Sequence, residues 1–125
     1  MPRSALYKNI ISKKPNILLT DDEDTFRNIM AKELTRMGYN VVSCASGSET
    51  INTLHERDFD VVILDMNMPV MGGIETLKRV KEMEPTTEVI VLTGQGSIES
   101  AVQAIKSGAY DYLTKPFSIL ELIAR

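Results

Sequence analysis

The feature that most constrains this chain is an alternation. Short unbroken apolar runs are separated by longer segments whose apolar residues recur at helical spacing. Asn16–Thr20 (NILLT) reads as a first strand. Phe26, Ile29, Met30, Leu34 and Met37 then follow a helical period, which Gly38 closes. Tyr39–Cys44 is a second strand, and the capping-box spacing Ser46-Gly-Ser-Glu49 opens a second helix running to about Glu56. Asp60–Leu64 (DVVIL) is a third strand, its continuous apolar run predicting burial on both faces. Ile74, Leu77, Val80 and Met83 mark a third helix, stopped by Pro85. Glu88–Leu92 is a fourth strand, and Ile98, Ala101, Val102 and Ile105 mark a fourth helix ending at Gly108. Tyr110–Leu113 is a short fifth strand, and a second capping box, Ser118-Ile-Leu-Glu121, starts a fifth helix.

Strict alternation implies a parallel sheet with helices on both faces, because parallel strands need crossover connections. The expected fold is α/β: a flavodoxin-like, doubly wound sheet of five parallel strands in the order 2-1-3-4-5. At 125 residues the chain fits one domain. Residues 15–125 are read as that domain, with a last helix cut short, and residues 1–14 as a flexible N-terminal extension. In such sheets ligands bind beyond the carboxyl ends of the strands.

Those ends carry a chemical pattern. Asp21, Asp22 and Glu23 follow strand 1, Asp65 follows strand 3, Thr93 follows strand 4, and Lys115-Pro116 follows strand 5. Clustered carboxylates must protonate, splay apart or hold a cation. An incomplete set of oxygen ligands fits Mg²⁺ with retained waters. Formal charge supports this: three Asp, one Lys and one Mg²⁺ sum to zero. A phosphoryl group on Asp65 would replace −1 with about −2, which the metal and Lys115 can both meet. Each residue taken alone has a plainer reading. Asp21 or Asp22 caps the first helix, Asp65 and Thr93 are turn residues, and Lys115 is a solvated charge.

The segments ILLTDDED (17–24), VVILDMNMPVMGG (61–73), VIVLTGQGS (89–97) and GAYDYLTKPF (108–117) resemble the receiver domain of bacterial two-component response regulators. That resemblance implies Asp65 as phosphoacceptor and a sensor histidine kinase as phosphodonor. It implies Asp21 and Asp22 as metal-binding acids, with the backbone carbonyl of Asn67 as a further ligand, for Mg²⁺ or a substituting Mn²⁺. Thr93 and Lys115 become the switch hydroxyl and the phosphate-contacting lysine, Tyr112 the switch aromatic, and the Lys115–Pro116 peptide cis. The output implied is a changed protein–protein contact, a homodimer through the helix 4–strand 5–helix 5 face. GQGSIESAVQAIKSGAYDYLTKPF (94–117) is similar to receivers attached to sigma-54-dependent transcriptional activators.

Composition narrows the alternatives. The net charge of −3 opposes direct nucleic-acid binding. No apolar run approaches the roughly 18 residues of a membrane span, so a cytoplasmic protein is expected. A single Cys (Cys44) excludes a disulfide framework and is read as a core residue; the single His (His55) is read as surface. The seven methionines are read mainly as core fillers. An aspartyl phosphatase would want a general acid where Asn67 stands. A nucleotide binder would want a glycine-rich loop where Asp21-Asp22-Glu23 stands. A pure interaction module would not accept phosphate. The expectation is a phosphoacceptor domain and not a turnover enzyme.

Overall fold

A computed structural model describes residues 15–68, 71–94 and 98–114. The strands are β1 (Asn16–Thr20), β2 (Asn40–Cys44), β3 (Val61–Asp65), β4 (Glu88–Thr93) and β5 (Asp111–Thr114). The helices are α1 (Asp24–Arg36), α2 (Gly47–Glu56), α3 (Gly73–Met83) and α4 (Ile98–Lys106). All strand pairs are parallel, in the order β2-β1-β3-β4-β5. The expected topology is therefore observed. The fifth helix and the N-terminal extension lie outside the described residues.

Side-chain alternation along the strands divides the core in two. Leu18, Val62, Leu64, Val89 and Val91 share one cluster with Leu54 of α2, Leu77 and Val80 of α3, and Ala104 of α4. Ile17, Leu19, Ile63, Ile90, Leu92 and Leu113 share the other with Met30 and Leu34 of α1. Both faces of the central strands are thus apolar, which is why β3 reads as an unbroken run.

The helix boundaries follow from local chemistry. Gly38 and Gly108 have positive φ (101° and 108°) and end α1 and α4. In each case two backbone bonds close the last turn: Gly38 N–H to Thr35 O with Tyr39 N–H to Leu34 O, and Gly108 N–H to Ile105 O with Ala109 N–H to Ala104 O. Ser46 caps α2, its hydroxyl accepting from the Glu49 N–H at 3.2 Å. The Glu49 carboxylate reaches back to the Ala45 N–H at 2.6 Å, one residue before the cap itself. Boundaries otherwise shift by one residue: β3 extends to include Asp65, β4 to include Thr93, and β5 starts at Asp111.

Helical spacing overstated the core at three positions. Ile29 is 60% exposed, Val102 48% and Ile105 44%. On α4 the core-facing side chains are Ala101 and Ala104, small residues that let the helix approach the sheet. At about 100° per residue, Val102 falls well round from that pair.

Candidate functional site

Three strand ends assemble the site. Pairing of β1 with β3 sets Thr20 beside Leu64, so Asp21, just past β1, and Asp65, the last residue of β3, stand next to each other. The Asp21 N–H continues the ladder, donating to Cys44 O at 3.1 Å. The Met66 N–H does the same on the other side, donating to Leu92 O at 2.9 Å.

Asp21, Asp22 and Asp65 each present a carboxylate oxygen within 4.8 Å of the others. Asp21 is 0% exposed and Asp65 4%, whereas Asp22 lies open. At that separation two ionised carboxylates repel by about 3.5 kcal/mol at an effective dielectric near 20. The helix-capping alternative does not hold. The N-cap of α1 is Glu23, with no side-chain cap bond. Asp21 Oδ1 instead accepts from the Glu23 N–H at 2.9 Å, a local turn that orients its carboxylate. Glu23 is exposed and stands outside the carboxylate cluster. An all-oxygen set with one open member suits a hard divalent cation that keeps part of its water shell. The residues present therefore fit Mg²⁺.

The loop after Asp65 is held close to it. The Asn67 N–H donates to Asp65 Oδ1 at 3.1 Å, so the nucleophile candidate and its neighbour form one turn. Gly73, the first residue of α3, packs on this loop: a Cβ there would lie 3.0 Å from the Asp65 carbonyl oxygen and closer still to Met66. Gly72 meets nothing within 4 Å and has an ordinary φ of −71°, so only the second glycine of the pair is required. Asn67 also approaches the end of β4, its Nδ2 standing 3.2 Å from where a Gly94 Cβ would be.

Thr93 is buried at the end of β4, and its hydroxyl donates to Leu113 O of β5 at 3.4 Å. Tyr112 is 42% exposed on the opposite side of β5 from buried Leu113. Lys115, Pro116 and the peptide between them lie outside the described residues. Cys44 is buried and His55 exposed, as expected. Burial pushes the Cys44 thiol up from its ordinary pKa.

Two supports of the site have no signature in the sequence. Thr20 and Thr50, both fully buried, share a hydroxyl–hydroxyl bond of 2.5 Å that ties the end of β1 to α2. Arg27 Nη1 donates to the Asp21 carbonyl at 2.8 Å. Two lone threonines and one arginine on a helix match no spacing rule. Only the topology brings them to their partners.

Residues 17–125 match the response regulator receiver domain family. The chain is 40% identical over 109 residues to the transcriptional regulatory protein ZraR of Escherichia coli O157:H7, covering 87% of this chain and 25% of that protein. It is 36% identical over 106 residues to the DNA-binding transcriptional regulator NtrC of Klebsiella pneumoniae, covering 85% of this chain and 23% of that protein. The chain thus spans about a quarter of the length of these relatives. The receiver domain of the Francisella response regulator 1452 superposes with a TM-score of 0.83 at 34% identity, covering 90% of this chain and 93% of that one. A Burkholderia pseudomallei response regulator, solved with a phosphorylated aspartic acid, calcium ion and citrate, gives a TM-score of 0.83 at 31% identity, covering 89% of this chain and 65% of that one.

Proposed function

This chain belongs to the response regulator receiver family, and from that premise we propose that it accepts a phosphoryl group from a sensor histidine kinase onto Asp65 in a Mg²⁺-dependent reaction. The observation that carries the reading is the carboxylate group of Asp21, Asp22 and Asp65 within 4.8 Å. The similar Burkholderia structure with a phosphorylated aspartic acid and a calcium ion supports it by likeness. Asp21 and Asp22 hold the metal with Asp65 and the Asn67 carbonyl. Mn²⁺ serves in place of Mg²⁺. Bound there, a divalent ion would supply positive charge against the phosphoryl oxygens.

The chain's own residues do the rest. A carboxylate oxygen of Asp65 attacks phosphorus, the P–N bond to the kinase imidazole breaks, and the ring nitrogen leaves with that electron pair. The turn that ties Asp65 Oδ1 to the Asn67 N–H limits how the nucleophile can point. Lys115 meets the added charge. The Thr93 hydroxyl gives up its long bond to Leu113 O for a charge-assisted one to the phosphoryl group. Tyr112 then rotates inward. The domain acts as a phosphoacceptor and not a turnover enzyme, in the cytoplasm. It switches a homodimer contact through α4, β5 and the fifth helix that the sequence leads one to expect from Ser118. Exposed Val102, Ile105 and Tyr112 on these elements support that face. The output is transcriptional, through a sigma-54-dependent activator, as the likeness to ZraR and NtrC supports.

The test is incubation with MgCl₂ and acetyl phosphate, followed by intact mass. Wild type gains one phosphoryl group, and Asp65→Asn gains none. A gain retained in Asp65→Asn refutes the assignment.

A further inference from the structure

The peptide that joins the two metal-site acids is held from outside the site. Arg27 stands one turn into α1, and its side chain is only 14% exposed. Its Nη1 donates to the Asp21 carbonyl at 2.8 Å. Its Nη2 meets the Asp24 carboxylate at 2.7 Å. The Arg27 N–H also bonds to Glu23 O at 3.0 Å, fixing the first turn of α1. One guanidinium therefore spans from the helix to the 21–22 peptide, with Asp24 setting the orientation of its planar fork.

We propose that Arg27 is a positioning residue for the metal site: by holding the Asp21–Asp22 peptide in one orientation, it fixes the angle between the two carboxylates that grip the cation. The inference rests on the metal-binding reading above. Clamping that plane restricts ψ of Asp21 and φ of Asp22, so a single bond constrains the backbone that carries two of the three carboxylates. Partners beyond the ligands themselves typically set metal affinity by about 10–100-fold.

Charge makes the inference sharply testable, because the two roles open to Arg27 predict opposite signs. A cation beside an acidic site weakens Mg²⁺ binding by repulsion, so deleting it would tighten binding. A brace predicts the reverse. Asp24 at 2.7 Å already offsets much of the Arg27 charge, which favours the brace.

The experiment is calorimetric titration of the folded chain with MgCl₂ in the absence of any phosphodonor, with circular dichroism to verify the fold. Arg27→Met is expected to bind Mg²⁺ about tenfold more weakly than wild type. Arg27→Lys retains the charge and one donor and should fall between the two. It also serves as the reading if Arg27→Met does not fold. Asp24→Asn keeps Arg27 but loses the partner that orients its fork and offsets its charge, so it should also bind Mg²⁺ more weakly than wild type, by less than Arg27→Met. Equal or tighter binding by Arg27→Met, or by Arg27→Lys in its place, overturns the positioning role alone. No saturable Mg²⁺ binding by wild type overturns the metal reading and this inference with it.

Discussion

Gly73→Ala tests whether the loop behind Asp65 depends on the close approach of α3. An alanine Cβ at this position would lie 2.5 Å from Met66 Cα, 2.8 Å from Met66 Sδ and 3.0 Å from the Asp65 carbonyl oxygen. The sulfur can swing aside. The other two atoms are backbone and move only with the loop. Carbon atoms rest at about 3.5–4.0 Å, so loop and helix must separate by about 1 Å. Overpacking of this kind costs about 1–3 kcal/mol. Backbone obstacles place it at the upper end. Alanine's helix preference over glycine returns up to about 1 kcal/mol. The net expectation is a loss of about 2 kcal/mol, or a drop of about 1 M in the urea midpoint.

The neighbouring residue supplies the control. A Cβ on Gly72 meets nothing within 4 Å, and its φ of −71° suits any residue. Alanine there gains about 0.4–1 kcal/mol from the unfolded chain and loses a similar amount as a poor N-cap. Gly72→Ala should therefore leave the midpoint nearly unchanged. The displaced loop includes the Asn67 N–H that holds Asp65 Oδ1, so Gly73→Ala should also phosphorylate more slowly, by about tenfold, with acetyl phosphate. Equal urea midpoints for the two variants, with unchanged phosphorylation of Gly73→Ala, refute the reasoning.

Metal should stabilise the fold: at ten times its dissociation constant Mg²⁺ adds about 1.4 kcal/mol. Asp21→Asn should melt higher than wild type without metal, because a repulsive pair is removed, and should lose the Mg²⁺-dependent shift. A beryllofluoride mimic should change self-association and the environment of Tyr112 in wild type and do neither in Thr93→Ala; an unaltered response in the variant removes the hydroxyl from the signal path. Burial raises the Cys44 pKa, so the folded state favours the neutral thiol. Its contribution is complete below the unfolded thiol's value of about 8.5 and declines as pH rises through the folded one. Iodoacetamide at pH 8 should alkylate native Cys44 more than about tenfold slower than the urea-unfolded chain, by mass.

The sheet was legible because its signal is redundant. Each strand is an apolar run, each helix is punctuated by Gly38, Ser46, Pro85 or Gly108, and parallel pairing permits few orders. The carboxylates were legible for a related reason. Once the order is fixed, residues at the ends of β1 and β3 must meet, and Asp21, Asp22 and Asp65 do. Periodicity failed on α4, where it weighs Val102 and Ile105 as it weighs Ala101 and Ala104. Spacing alone cannot report that the sheet comes near enough to prefer alanine. The role of Gly73 was only half visible. A Gly-Gly pair announces room for tight backbone, but which member needs it depends on where Met66 lies.

The supports of the site were invisible for a deeper reason. Arg27 acts on a backbone carbonyl, and every residue has one. The identity of position 21 therefore carries no trace of the bond its peptide receives. Thr20 and Thr50 face a similar difficulty: they are thirty residues apart, and a buried threonine looks like any polar substitution within a strand or helix. Yet burial gives their bond its weight, since losing one partner would leave a dry hydroxyl at a cost of about 1–3 kcal/mol. A sequence displays the groups that must be chemically distinct, here carboxylates, hydroxyl and lysine. The groups that aim them recruit generic backbone and generic hydroxyls. Their selection is by place in the fold, and only coordinates reveal place.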